Sequence, residues 1–409
     1  MKRYDLYKDS GIEWIREIPS HWGVKKVKYN FSFKTGFTPP SGKTEYYECG
    51  THIWINISDL QERTVSDSAN KITDKAIEDY KPSIVPKGSL LYSFKLSVGK
   101  VAFNERDCYT NEAIFSIDPD GDTNLEFFYY SLPEQIIKNA NENIYGAKIL
   151  NQELIKNAFL IVPPKKEQTV IANYLDSKTA EIDALIADKK SLLELYEEEK
   201  IAIINRVVTK GVNPDVPMKE SGIEWLGEIP EHWEVKKLKY VAHLRSGTNI
   251  VSDQIKEINE YPVFGGNGLR GYFSEFTHEG DLVLIGRQGA YCGNIKYGKG
   301  KFWASEHAVV VMPIFEYEMI YLGELLRSMN LNKYSVSAAQ PGLAVDTIKN
   351  LQIPFPPIQE QQSIVQHIET ECARIDAKIA KTKKLIELLT EYRTALISEV
   401  VTGKIKVTE

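Results

Sequence analysis

Residues 8–29 read KDSGIEWIREIPSHWGVKKVKY and residues 219–240 read KESGIEWLGEIPEHWEVKKLKY; sixteen of the 22 positions are identical at an offset of 211. A chain that carries so long a string twice is built from two copies of one unit, and that repeat governs every later inference about the fold. A second echo lies downstream at an offset of 193. Residues 163–183, PPKKEQTVIANYLDSKTAEID, answer residues 356–376, PPIQEQQSIVQHIETECARID, with eight of 21 identical. Each half therefore runs opener, variable block, PPxxEQ and a long final segment, the second variable block being 18 residues shorter (211 − 193). Between the halves, KGVNPDVPMKES carries two prolines and a glycine and reads as a linker.

The final segments predict helices. Neither Glu167–Val208 nor Glu360–Val401 contains glycine or proline. Ile182, Ile186, Leu193, Tyr196, Ile203 and Val207 share a stripe of roughly 100° at 3.6 residues per turn. Their partners 193 residues on, Ile375, Ile379, Ile386, Leu389, Leu396 and Val400, are apolar again. At 1.5 Å per residue each helix reaches ~60 Å. The outer faces are charged, with Glu197-Glu198-Glu199 and Lys381 to Lys384. Two such helices bury their stripes most simply against each other, as a coiled coil; the competing arrangement packs each on its own domain. The variable blocks are instead rich in short β-branched or aromatic runs broken by Gly, Pro and Asp. WINISDL, SLLYSFKLSVGKVAFN and AIFSID supply them in the first half, YPVFGG, DLVLIGRQGAYCGNI and HAVVVMPIF in the second.

Composition sets the class. A length of 409 residues predicts two to four domains at ~100–200 residues each. Hydrophobic residues at 43% and charged residues at 26% describe a soluble globular protein and exclude a disordered one. Fifty Lys and Arg against 56 acids give a net charge of −6, which excludes a nucleic-acid partner held by bulk positive charge but not a local basic face. Cys49, Cys108, Cys292 and Cys372 lie far apart, as in a reducing compartment, with no zinc-finger spacing. No run of about 18 apolar residues appears, so a cytoplasmic protein without membrane contact is expected.

Strings that imitate catalysis fail on inspection. Gly36 to Thr44 imitates a Walker A loop, but five residues separate the glycines and two prolines remove amides needed to cradle phosphate. Phe264-Gly-Gly-Asn-Gly268-Leu-Arg-Gly271 imitates a dinucleotide or methyltransferase loop. The next residues, YFSEF, read as a strand where a helix N-terminus would have to meet pyrophosphate. No NPPY-like tetrapeptide and no HExxH occurs. No catalytic, cofactor-binding or metal-ligating residue is therefore assigned.

Charge is placed unevenly. Tyr80–Asn104 holds Lys81, Lys87, Lys95 and Lys100 and no acid; Leu282–Ser305 holds Arg287, Lys296, Lys299 and Lys301 and no acid. Both windows occupy the same place in their repeats and are laced with aromatics and glycine, the pattern of a local DNA-facing loop. Lysines pair with phosphates, arginine grips guanine, and Asn or Gln grips adenine. The DNA-binding candidates are Lys87, Lys95, Lys100, Asn267, Arg270, Arg287, Gln288, Lys296, Lys299 and Lys301. Matching Gly88-Ser89-Leu90-Leu91 with Gly280-Asp281-Leu282-Val283, at an offset of 192, sets Lys95 opposite Arg287.

Through these residues the chain resembles the specificity (S) subunits of type I restriction–modification systems. The resemblance rests on SGIEWLGEIPEHWEVKKLKY, on PPxxEQ with its long helix and central ID, and on the closing LISEVVTGKI. YPVFGGNGLRGYF…LIGRQGAYCGN…FWASEHAVVV is similar to a recurrent target recognition domain of that family. The resemblance implies an α+β chain of two α/β target recognition domains joined by two long antiparallel coiled-coil helices, with an internal pseudo-twofold repeat. Expected boundaries are 1–163 and 219–356 for the recognition domains, 164–210 for the first helix, 211–218 for the linker and 357–409 for the second helix and tail. It implies double-stranded DNA as ligand, two methyltransferase subunits carrying S-adenosylmethionine, and restriction subunits adding ATP- and Mg-dependent translocation and cleavage. This chain would bind no cofactor itself.

The duplicated openers and PPxxEQ strings offer two near-identical surfaces for two copies of one partner. Candidates there are Trp14, Trp22, Glu167, Gln168, Trp225, Trp233, Glu360 and Gln361, the tryptophans being equally readable as domain core. Two other classes compete: a duplicated coiled-coil adaptor whose heads bind protein or glycan, and a self-sufficient methyltransferase.

Overall fold

The computed structural model describes residues 2–95, 97–142, 148–289, 292–335 and 342–407. The chain folds as two compact units, Met1–Asp188 with Leu385–Glu409, and Lys189–Lys384. The division falls within the long helices, Lys165–Lys210 and Ile358–Val401, so each unit holds part of both.

The repeated strings form the same two ladders in each unit. In the first, Tyr7–Asp9 pairs antiparallel with Glu17–Pro19, and Gly23–Lys26 with Phe159–Val162. In the second, Met218–Glu220 pairs with Glu228–Pro230, and Glu234–Lys237 with Gln352–Phe355. Lys8 faces Ile18 as Lys219 faces Ile229, so even the register is duplicated. The second ladder in each unit ties the opener to the strand just before Pro-Pro, and so fixes where each long helix begins.

Between these ladders the variable blocks fold as sheets. The first unit has a five-stranded sheet ordered Lys34–Thr35, Ile114–Ile117, Leu90–Ser93, Val101–Asn104, Thr64–Val65. A three-stranded sheet, Tyr109–Thr110, His52–Ile55, Lys71–Ile72, lies beside it. The second unit has two four-stranded sheets: Ala242–Ser246, Ala308–Pro313, Leu282–Gly286, Ile295–Gly298; and Gly268–Phe273, Tyr261–Gly265, Lys301–Ala304, His278–Glu279. The glycine-rich 264–271 stretch thus feeds a strand, and no helix N-terminus succeeds it.

Paired prolines, which fix φ and lack an N–H, precede both long helices. Gly211 and Gly403, both at φ +75, end them in the left-handed conformation that glycine adopts without strain. Within the first unit Ile171, Leu175 and Ile182 share a core with Leu396, Val400 and Val401. Within the second, Val207 and Val208 share one with Ile364 and Ile368. Rising numbers on one helix meet falling numbers on the other, so the pairing is antiparallel. No residue of the expected stripes is exposed. The repeated Ile-Asp explains itself here: Ile182 and Ile375 are buried, while Asp183 pairs with Arg393 at 2.8 Å and Asp376 with Lys200 at 2.7 Å. Among the described residues no helix is long and apolar enough to cross a membrane.

Candidate nucleic-acid interface

The strand Leu282–Gly286 of the second unit ends in a turn that the rest of the tip is built around. The Arg287 N–H donates to the His307 carbonyl at 3.0 Å, and the Arg287 carbonyl accepts from the Leu343 N–H at 2.9 Å. Half-buried, Arg287 donates from Nη1 to Ser246 Oγ at 2.7 Å, while its Nε is enclosed without a partner among the described residues. The glycine turn lies against this one. A Cβ on Gly266 would stand 3.2 Å from the His307 carbonyl oxygen and 3.5 Å from that of Gln288. Gly268 lies against the Lys296 side chain, where a Cβ would stand 3.3 Å from Cε. Asn294 Nδ2 donates to Asn267 Oδ1 at 3.4 Å, and Arg270 Nη2 to Ser252 Oγ at 3.4 Å. Asn267, Arg270, Gln288 and Lys296 are exposed. The fold therefore gathers Asn267, Arg270, Arg287, Gln288 and Lys296 at one tip. Lys299 and Lys301 do not join it. They sit at the far end of the hairpin, where Leu282 faces Gly298, and Lys301 Nζ rests 4.8 Å over the Phe276 ring.

The first unit repeats this backbone frame and corrects the expected register by one residue. Phe94 N–H donates to Ala113 O as Arg287 does to His307 O; Gly36 donates to Ile114 O as Gly247 does to Ala308 O; Phe37 donates to Thr110 O as Thr248 does to Ala304 O. The counterpart of Arg287 is therefore Phe94, at an offset of 193, and Lys95 answers Gln288. The matched strings begin in the turn before the strand, whose length pairing does not constrain. Cross-strand pairing sets the true register, Leu90 opposite Ile117 and Val283 opposite Val311. Lys95 is exposed beside the Phe94 ring, 5.8 Å from its centroid. The Lys100 backbone lies close by, its N–H on Ser93 Oγ at 3.0 Å, but its Nζ turns to the Ile57 carbonyl at 3.5 Å. Lys87 stands at the opposite end of Leu90–Ser93, its N–H on Asp107 Oδ1 at 2.8 Å. Of the two basic windows, Leu96, Ala290 and Tyr291 lie outside the described residues.

Sequence reasoning gave no role to Thr38, Glu112, Ser246 or Glu306, all at these tips. Thr38 Oγ1 donates to Glu112, and the Asn111 beside it donates from Nδ2 to Asn56 Oδ1 at 3.2 Å. The signal was the spacing itself: Gly36 and Gly247 differ by the opener's 211, Glu112 and Glu306 by 194.

Most of the partner-surface candidates turn inward, which corrects that expectation. Trp22 and Trp233 are fully buried, and their indole N–H groups donate to Glu167 at 3.1 Å and Glu360 at 2.9 Å. His21 reaches the same Glu167 carboxylate at 2.6 Å, and His232 that of Glu360. Gln168 and Gln361, both buried, donate from Nε2 to the Pro163 and Pro356 carbonyls at 2.8 and 2.9 Å. Each carboxylate sits in the first turn of its helix, where the helix dipole favours negative charge, and latches that turn to the opener. Only Trp14 and Trp225, half-buried, retain ring surface for a partner.

The family model for the type I restriction modification DNA specificity domain matches residues 19–195 and again 230–390. The EcoprrI specificity subunit of Escherichia coli is 30% identical over 402 residues, 92% of this chain and 94% of that protein. The MjaIX specificity subunit of Methanocaldococcus jannaschii is 27% identical across 97% of this chain and 96% of its own. In fold, the chain resembles a solved component of a type I restriction–modification system with a TM-score of 0.70 at 14% identity, covering 95% of this chain and 99% of that one. The HsdS subunit of Thermoanaerobacter tengcongensis superposes with a TM-score of 0.57 at 15% identity, covering 95% and 98%. With two matches to one family model, each centred on one copy of the repeat, the chain belongs to the DNA specificity subunits of type I restriction–modification systems.

Proposed function

We propose that each unit reads one half of a bipartite, asymmetric DNA site through the turn at the end of its central strand. The observation that carries this is the shared frame with unlike side chains: Phe94-Lys95 in the first unit stand where Arg287-Gln288 stand in the second. One backbone thus presents two chemistries, so the two half-sites differ in sequence. Arginine pairs bidentately with guanine and glutamine with adenine, while Lys296 and Lys95 suit phosphate. The long helices set the spacer; half-sites one turn apart lie ~34 Å centre to centre. The duplicated openers dock two methyltransferase subunits, and restriction subunits join them. The chain itself is non-catalytic, with S-adenosylmethionine, ATP and Mg held by those partners. The DNA specificity family supports this over a protein-binding adaptor.

Arg287→Ala is expected to cost ~1–3 kcal/mol at one base pair and to relax one half-site only, read as the methylated adenine motif in cells. Unchanged specificity in both halves removes Arg287 from base reading. Lys296→Ala weakens binding to all sequences and lowers the slope of log affinity against log salt by about one; an unaltered slope removes it from the phosphate contacts. One extra helical turn in both long helices changes the spacer of the methylated motif, and a retained spacer refutes their role as its ruler.

A further inference from the structure

The two variable blocks share few residues at their tips, and most of those have an internal reason. Gly36 and Gly247 are each pressed against a carbonyl, a Cβ standing 2.0 Å from Thr110 O or 2.2 Å from Ala304 O. Gly99 and Gly293 adopt φ +94 and +90. Glu112 and Glu306 share a place in the frame, each two residues before the residue whose carbonyl accepts from Gly36 or Gly247. They share no partner. Glu112 is exposed and accepts from Thr38 Oγ1. Glu306 keeps Oε1 3.0 Å from His307 Nε2, while its Oε2 has no partner among the described residues. Beside it Ser305, fully buried, leaves its Oγ unpaired among them as well. A carboxylate kept at the same point of two diverged copies, held there by different groups, answers to something outside the chain.

We infer that Glu112 and Glu306 are specificity-determining residues, each accepting a hydrogen bond from the exocyclic amino group of a base, with cytosine N4 as the fitting donor. This rests on the proposed reading that these turns face DNA. A carboxylate is acceptor-only, so it pairs with an amino group and rejects the O6 and N7 of guanine and the O4 of thymine. Beside phosphates its charge is repelled unless such a donor meets it. Its placement next to Arg287-Gln288 and opposite Phe94-Lys95 therefore adds a charged acceptor to tips whose other charged side chains, Arg270, Arg287, Lys296 and Lys95, only donate. With Oε1 on His307 and Oε2 enclosed, the Glu306 side chain rotates outward from the position it holds here to make this contact.

The test uses the full chain with its partner methyltransferase, comparing Glu306→Gln and Glu112→Gln by sequencing methylated adenine motifs in cells. Retention of each purified complex on the motif duplex and on a scrambled duplex is measured in parallel. Glutamine keeps the shape but pairs with adenine, so each variant should lose roughly 10- to 100-fold discrimination at one base pair. Glu306→Gln should act in one half-site and Glu112→Gln in the other, with retention on the scrambled duplex unchanged. An intact motif in both variants overturns the inference, as does relaxation of the same half by both. Equal loss on both duplexes by a variant that melts like the parent also overturns it, since the carboxylate then holds the tip rather than reading a base. Failure of the unmodified complex to prefer its motif would instead defeat the reading that the turns face DNA.

Discussion

Trp233→Ala lowers the stability of the second unit by about 3–5 kcal/mol, the range for truncating a fully enclosed tryptophan. The ring has no solvent exposure and fills the space between the opener and the helix ends, with Gly211 so near that a Cβ would stand 3.3 Å from Cζ2. Removing it leaves a cavity and strips the Glu360 carboxylate of its 2.9 Å indole donor. Domains are held by only about 5–15 kcal/mol, so the loss is a large share of the total. Trp22→Ala should do the same in the first unit, where the ring also meets Tyr4 edge-on at 5.5 Å. Trp233→Phe keeps most of the apolar volume and loses the hydrogen bond, at about 1 kcal/mol because Glu360 keeps His232 and partial solvent contact. Urea unfolding monitored by helical circular dichroism separates these values; equal midpoints for Trp233→Ala and the parent chain would show that the latch bears no load.

Such a latch could not be read from the string that revealed the repeat. The duplication, the long helices and their stripes were legible because period and identity survive in one dimension: Ile182 and Ile375 announce a buried face whatever surrounds them. The inward turn of Trp22 and Trp233 was not, since the acceptor that draws each indole in lies 145 and 127 residues away. At the tips the sequence identified charge and missed position. Lys299 and Lys301 share a window with Arg287, yet a hairpin carries them to its other end. The register of Lys95 failed for a related reason, because similar letters in a turn count residues that pairing ignores. Glu112 and Glu306 were left out of the DNA-facing candidates because windows were chosen for lacking acids, and Glu306 stands one residue beyond the second window.

Replacing Gly247 with alanine tests the frame itself. Its backbone φ is ordinary, so the constraint is space: a Cβ would stand 2.2 Å from the Ala304 carbonyl oxygen and 2.5 Å from that of Ser305. Both are backbone atoms and cannot rotate away. The chain must move, and the Gly247 N–H to Ala308 O bond at 2.9 Å and the Thr248 N–H to Ala304 O bond at 2.8 Å are the first to open. Two backbone bonds at ~1 kcal/mol each with overpacking of ~1–3 kcal/mol give a cost of roughly 3–5 kcal/mol. Ser246, which holds Arg287, is the preceding residue, so Gly247→Ala should also relax the half-site that Arg287 reads while the other half keeps its specificity. Gly36→Ala, with a Cβ 2.0 Å from Thr110 O, should relax the opposite half. Gly42→Ala supplies the control: it lies in the same loop as Gly36 but has nothing within 4 Å of its Cβ position, so melting and motif should both stay as in the parent. If Gly247→Ala melts lower yet leaves both halves of the methylated motif intact, the frame supports the fold alone and base reading lies elsewhere on the unit.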